Sequence, residues 1–88
     1  MPVISMFYGI IVHMFNEKGV RHQKPHVHCT YGEFEAVFDF EGNALEGELP
    51  NGKSRLMQAW IELHKEELFT NWALLQNGDR PFRISPIV

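Results

Sequence analysis

Eighty-eight residues, 44% hydrophobic and 22% charged, suffice for one domain over residues 1–88 with one core and little spare stability. A net charge of −3 with neutral histidines argues against the broad basic face that drives DNA binding. The single cysteine, Cys29, excludes an internal disulfide and fits a reducing cytoplasm, while the apolar opening Met1–Met14 lacks a basic leader and is too short to span a bilayer.

Val3 to Phe15 is rich in β-branched and aromatic residues. Both phases of its alternation are apolar, which predicts a central strand or one covered on both faces. Gly9 marks a bulge or bend that splits it. Asn16-Glu17-Lys18-Gly19 reads as a turn. A polar connection follows, in which Lys18, Arg21, His22, Lys24, His26 and His28 form a local basic cluster.

The second strand is predicted over His26–Tyr31, with Pro25 at or before its start. After the Gly32-Glu33 turn, Glu33 to Phe40 alternates cleanly. Phe34, Ala36, Phe38 and Phe40 should face the core, with Glu35, Val37 and Asp39 opposite. Glu41-Gly42-Asn43 is the next turn. Ala44 to Leu49 makes a short fourth strand with Glu46 and Glu48 on one face, and Pro50 ends it.

From Gly52 or Lys53 to Gln76 no proline or internal glycine occurs. Met57, Ile61, His64, Leu68, Trp72 and Leu75 repeat at helical spacing and predict one long amphipathic helix. Leu56, Trp60 and Leu63 widen this face, and Trp60, twelve residues before Trp72 and so facing a different direction, is also a candidate to reach the rim or a partner chain. Asn77-Gly78 supplies the left-handed stop. The extended tail carries Pro81 and Pro86, which confine any strand there to a sheet edge. The expected fold is α+β: a three- to four-stranded antiparallel sheet followed by one long C-terminal helix packed on it.

The chemistry concentrates in His22-Gln23-Lys24-Pro25-His26-Val27-His28. Residues two apart on a strand share a face, so His26 and His28 point together while Val27 and Cys29 point the other way. Imidazole is both the side chain that titrates near neutrality and the commonest metal ligand. Three readings follow. His22, His26, His28 and the mid-helix His64 could hold a metal, most naturally zinc. Alternatively, His26 and His28 act as general base and acid on an RNA phosphate, with Lys24 or Arg21 stabilising charge. In the third, the histidines are structural: His28 packs against the helix, hydrogen-bonded and neutral, His22 and His26 are solvated loop residues, and His64 bonds to a carbonyl or carboxylate. Cys29 reads as a small buried hydrophobe. The acidic set Glu33, Glu35, Asp39, Glu41, Glu46 and Glu48 reads as a solvated sheet face. No phosphate loop, Ser-His-Asp order, Cys-x-x-Cys or His-Glu-x-x-His is present.

His22, Pro25-His26-Val27-His28, the helical Gln58-Ala59-Trp60 and Glu62-Leu63-His64-Lys65-Glu66-Glu67-Leu68, then Trp72, together with the opening Met1 to Ile10, resemble the bacterial family known as domain of unknown function 4160. The resemblance covers nearly the whole chain, and Lys24 departs from it where members often carry a second proline. It implies a small α+β protein with no assigned activity, encoded beside another small protein in pairs that look like toxin–antitoxin modules. It also implies signature positions at His26, His28, His64 and Trp72, with His22 less securely.

The expectation is therefore a cytoplasmic component of a toxin–antitoxin-like module with a small cognate protein partner. Its histidine cluster would serve as a metal or RNA-phosphate site, with Arg21, His22 and Trp60 as binding residues. The competing expectation is a non-catalytic protein-binding or dimerisation module whose histidines are structural. DNA and membrane are not expected partners.

Overall fold

A computed structural model of the chain describes residues 3–15 and 24–87. It contains β1 (Val3–Phe7), β2 (Ile10–His13), β3 (His26–Tyr31), β4 (Phe34–Asp39) and β5 (Ala44–Gly47), then α1 (Asn51–Leu63) and α2 (Lys65–Gln76). The strands form one sheet in sequence order, each antiparallel to the next. The α+β architecture stands, with two corrections: five strands rather than three or four, and two helices rather than one.

The extra strand comes from the split at Gly9. Tyr8 and Gly9 turn the chain so that Phe7 pairs with Ile10. The apolar run is thus a hairpin, and its first half is an edge strand. The helix breaks at His64, whose backbone sits at φ −118°, ψ 25°. Hydrogen bonds continue through it in both directions, from His64 N–H to the Trp60 carbonyl and from Leu68 N–H to the His64 carbonyl. No proline or glycine marks this kink. The His64 imidazole instead bonds through Nδ1 to Glu67 Oε1 at 2.6 Å, three residues ahead. Helix α2 stops at Gly78 (φ 83°), where Asp79 N–H returns to the Leu74 carbonyl at 2.8 Å.

One face of the sheet carries Ile10, Val12, Val27, Cys29, Ala36 and Phe38, which form the core with Met57, Trp60, Ile61, Leu68 and Leu75 from the helices. Burying these side chains is the main stabilising term in a chain of this size. Phe34 falls at the sheet's end and is exposed, so the aromatic row of β4 begins at Phe38 rather than Phe34. Val37, on the other face, is nevertheless buried.

Gly47 closes β5 at φ 67°, and a Cβ there would collide with the Glu35 carbonyl oxygen. Both the conformation and the space exclude a side chain. Gly47→Ala is expected to cost about 2 kcal/mol or more, read by urea unfolding, because backbone must shift to admit the methyl.

Candidate functional site

The register places one row of side chains across the face opposite the core: His13 on β2, His28 on β3, Val37 on β4 and Glu46 on β5. His26 shares His28's side of β3, and the two rings lie 5.2 Å apart between centroids. Phe15 completes the cluster. It stacks on His13 at 5.9 Å and meets His28 edge-on at 4.7 Å. Alternation along β3 therefore gathers His26 and His28, and strand pairing adds His13. The His13 Nδ1 atom is buried and has no hydrogen-bond partner among the described residues. Burial, reinforced by the neighbouring His28, holds the His13 pKa below the ordinary imidazole value.

Against the structural reading, His26 is no solvated loop residue but opens β3 at 1% exposure, while His28 is the half-buried one. The His26 Nδ1 donates to the Lys24 carbonyl at 2.7 Å, since a carbonyl can only accept. Trp72 reaches its ring from α2 with 5.2 Å between centroids. Helix α2 thus does supply a partner to the strand histidines, and that partner is Trp72 rather than His64.

His64 is held elsewhere. Besides its bond to Glu67, its ring lies 5.6 Å from that of Trp60. The helices cover the sheet face of Val27 and Cys29, whereas His26 and His28 project from the other. Among the described residues, no three of His, Cys, Asp and Glu are placed to hold one metal ion. Of the two alternatives for His64, convergence on His26 and His28 or a bond to a carbonyl or carboxylate, the structure has the second, with Glu67 as the carboxylate. Arg21 and His22 lie outside the described residues.

Lys24 lies at the same end of the sheet, and its ammonium pairs with Asp39 Oδ2 at 2.9 Å. Asp39 is the member of the acidic set that is not solvated. Its side chain is 1% exposed and organises the β4–β5 turn, accepting from Glu41 N–H at 2.9 Å and Asn43 N–H at 2.8 Å. Burial alone would raise its pKa. The Lys24 ammonium and the bonds from Asn43 and Glu41 outweigh that and hold it at about 2. Lys24, expected to stabilise charge on phosphate, is engaged in this ion pair. The sequence signal for Asp39 was available in Asp39-Phe40-Glu41-Gly42-Asn43, an aspartate opening a glycine turn.

Trp60 was expected at the rim as a binding residue. It is instead at the centre of the core, 0% exposed, with its ring 5.3 Å from that of Phe7. It widens the buried row of Met57, Ile61, Leu68 and Leu75, which keeps its phase across His64, so its offset from Trp72 does not carry it to the rim. Cys29 is the buried hydrophobe expected: burial pushes its thiol up to about 12, and Sγ lies 3.5 Å from the Ala36 carbonyl. Asn71, not singled out from sequence, is fully buried on α2 and holds the backbone of Phe82.

A groove of about 310 Å³ crosses the open face, lined by His28, Thr30, Glu35, Val37, Glu46 and Gly47 among others. Among the described residues its lining combines one imidazole with two carboxylates. No helix of the described residues is long and apolar enough to cross a membrane. A family model described as Domain of unknown function (DUF4160) matches residues 9–73. No curated protein and no solved structure matches the chain.

Proposed function

We propose, from the premise that the chain belongs to the family described as Domain of unknown function (DUF4160), that it is a non-catalytic, partner-binding component of a two-protein, toxin–antitoxin-like module. Its histidines are structural: His26 closes one end of the sheet, His28 packs beside it, and His64 holds the helix kink. The observation that carries this reading is the burial of His26. At 1% exposure, beneath Trp72 and tied to the Lys24 carbonyl, its ring meets a phosphodiester only if the sheet end opens. A buried polar side chain with its bond made is a stabilising element first. The acidic balance of the chain and the engagement of Lys24 with Asp39 support the same reading. A cytoplasmic cognate protein is the proposed partner. The family resemblance supports the two-protein setting.

A second reading has one observation in its favour. His28 is only half-buried and lines the open-face groove beside Glu35 and Glu46, so an imidazole and carboxylates share one accessible surface. In that reading His28 exchanges protons with an RNA phosphate. Incubation with a mixed RNA pool over pH 5–8 separates the two. The partner-binding reading expects no cleavage above a no-protein control. Cleavage with a bell-shaped pH profile that His28→Ala abolishes would overturn it in favour of the second.

A further inference from the structure

His13 ends β2 on the open face of the sheet, where two groups hold its ring. Phe15, two residues on, stacks on it at 5.9 Å with 8° between the planes, and the same phenyl meets His28 edge-on at 4.7 Å. His28 is also the residue directly opposite His13 across the β2–β3 pairing. The His13 side chain as a whole is half-buried, but its Nδ1 atom is buried and has no hydrogen-bond partner among the described residues. Buried polar nitrogens are nearly always satisfied, and neither functional reading gives this one a task.

The orphaned nitrogen restricts the charge that the ring can carry in place. A neutral imidazole has one N–H and can place it on Nε2, leaving Nδ1 as a bare acceptor. Imidazolium carries N–H on both nitrogens, so protonation aims a charged donor at a buried position that holds no acceptor. The charged groups around the ring act in the same sense. From β3 the facing group is His28, whose own protonation would set like charges directly opposite each other. His26 lies beside His28, ring to ring at 5.2 Å, and beyond it Lys24 and Asp39 neutralise each other. From β1 the pairing residue is the uncharged Val3, and the positive amino terminus adds repulsion. From β4 the row continues through Val37, so the nearest described carboxylate in it is Glu46 on β5. That is three strand spacings from His13, about 14 Å. The Phe15 face opposes all this by attracting a cation. Burial first, and His28 second, outweigh it and hold the His13 pKa below the ordinary value.

We propose that His13 is a proton-operated latch on the open face of the sheet. Neutral, it lies against Phe15 and closes the end of the β2–β3 pairing. Protonated, it leaves for water, Phe15 loses the ring it stacks on, and the His28 edge that Phe15 covers is opened. His28 lines the groove on that face, so the latch ties access to the groove to pH, whichever of the two functional readings holds. A histidine kept neutral by the fold stabilises it fully above the unfolded imidazole value of about 6.5 and loses that contribution as pH falls through and below it. Asp39 titrates at about 2, so the two residues act in separate pH ranges.

The test is amide hydrogen exchange of the full chain at pH 7 and pH 5.5, read by mass spectrometry and corrected for the intrinsic pH dependence of exchange. His13→Phe keeps a ring against Phe15 and removes the proton. On acidification the opening constant of β2 is expected to rise by about threefold or more in the wild type, within a linkage ceiling of about eightfold. It is expected to stay level in His13→Phe, and the opening of α2 is expected to stay level in both proteins. Should circular dichroism show His13→Phe unfolded, His13→Leu takes its place. An equal rise of β2 opening in wild type and variant overturns the latch. So does a rise that α2 shares, because acid would then loosen the whole fold rather than one end of the sheet. Histidine NMR of the wild type gives a second readout: a His13 ring that titrates at or above the ordinary imidazole value also overturns it.

Discussion

Trp60→Ala is expected to lower the unfolding free energy by about 3–5 kcal/mol, the largest effect of any single truncation considered. The ring is 0% exposed and tilted against Phe7 at 5.3 Å. Its other neighbours include His64, at 5.6 Å, and the C-terminal strap of residues 79–87, through the bond to the Ser85 carbonyl. Removing it opens a cavity where sheet, helix kink and strap meet. A domain of this size has roughly 4–13 kcal/mol in total, so the variant should be largely or wholly unfolded at 37 °C. Trp60→Phe keeps most of the apolar volume and loses the N–H, for a smaller expected cost of about 1–2 kcal/mol. Urea unfolding followed by circular dichroism ranks the three proteins. A Trp60→Ala variant as stable as the wild type would return Trp60 to the surface role that its spacing from Trp72 suggested.

The second large effect is at low pH. The Asp39 carboxyl titrates near 2 in the folded chain and near 4 in an unfolded one. A depressed folded-state pKa means that the stabilisation is fully present above the unfolded value. It is lost as pH falls from about 4 to about 2, because below both values the unfolded and folded states are equally protonated. The expected loss from this residue is on the order of 2 kcal/mol, carried by the Lys24 ion pair and the turn N–H groups of Glu41 and Asn43. Asp39→Asn keeps the shape but cannot carry the charge. Its stability deficit relative to wild type should therefore be largest above pH 5 and close toward pH 2. Thermal melts of the two proteins at a series of pH values measure this. A deficit that stays constant with pH would show that Asp39 acts by packing alone.

Much of the fold was legible because local signals agreed. The bounds of β3 follow from Pro25 and Gly32, and the stop of α2 follows from Asn77-Gly78. The hairpin at Gly9 was visible as a split but not as a reversal, since a glycine inside an apolar run also marks a bulge. The kink at His64 had no breaker residue to announce it. The His64 side chain pairs there with Glu67 and lies against Trp60, contacts visible only in three dimensions. The buried row Met57, Ile61, Leu68 and Leu75 nevertheless stays in phase across that point, and Trp60 lies on the same buried side.

The site was half legible for a related reason. His26 and His28 do share a face, as the strand period requires. The same period sends Val27 and Cys29 to the opposite face. That pair is the more apolar, so it is the pair the helices cover. A helical histidine on the core face therefore cannot also lie over the strand histidines from mid-sheet. Among the described helical residues, Trp72 reaches the His26 ring, at the sheet's end. His13 joined the cluster through strand register, which a sequence with an unassigned hairpin does not provide. Asn71 reads as a break in the apolar stripe of α2, and its purpose appears only once the strap lies beside it.

Whether His26 holds structure is measured most directly by urea unfolding of His26→Ala at pH 7. A loss of about 2–4 kcal/mol is predicted, from the cavity left beneath Trp72 and the orphaned Lys24 carbonyl. An unfolding free energy unchanged from the wild type would contradict the structural role and leave His26 to be explained by chemistry.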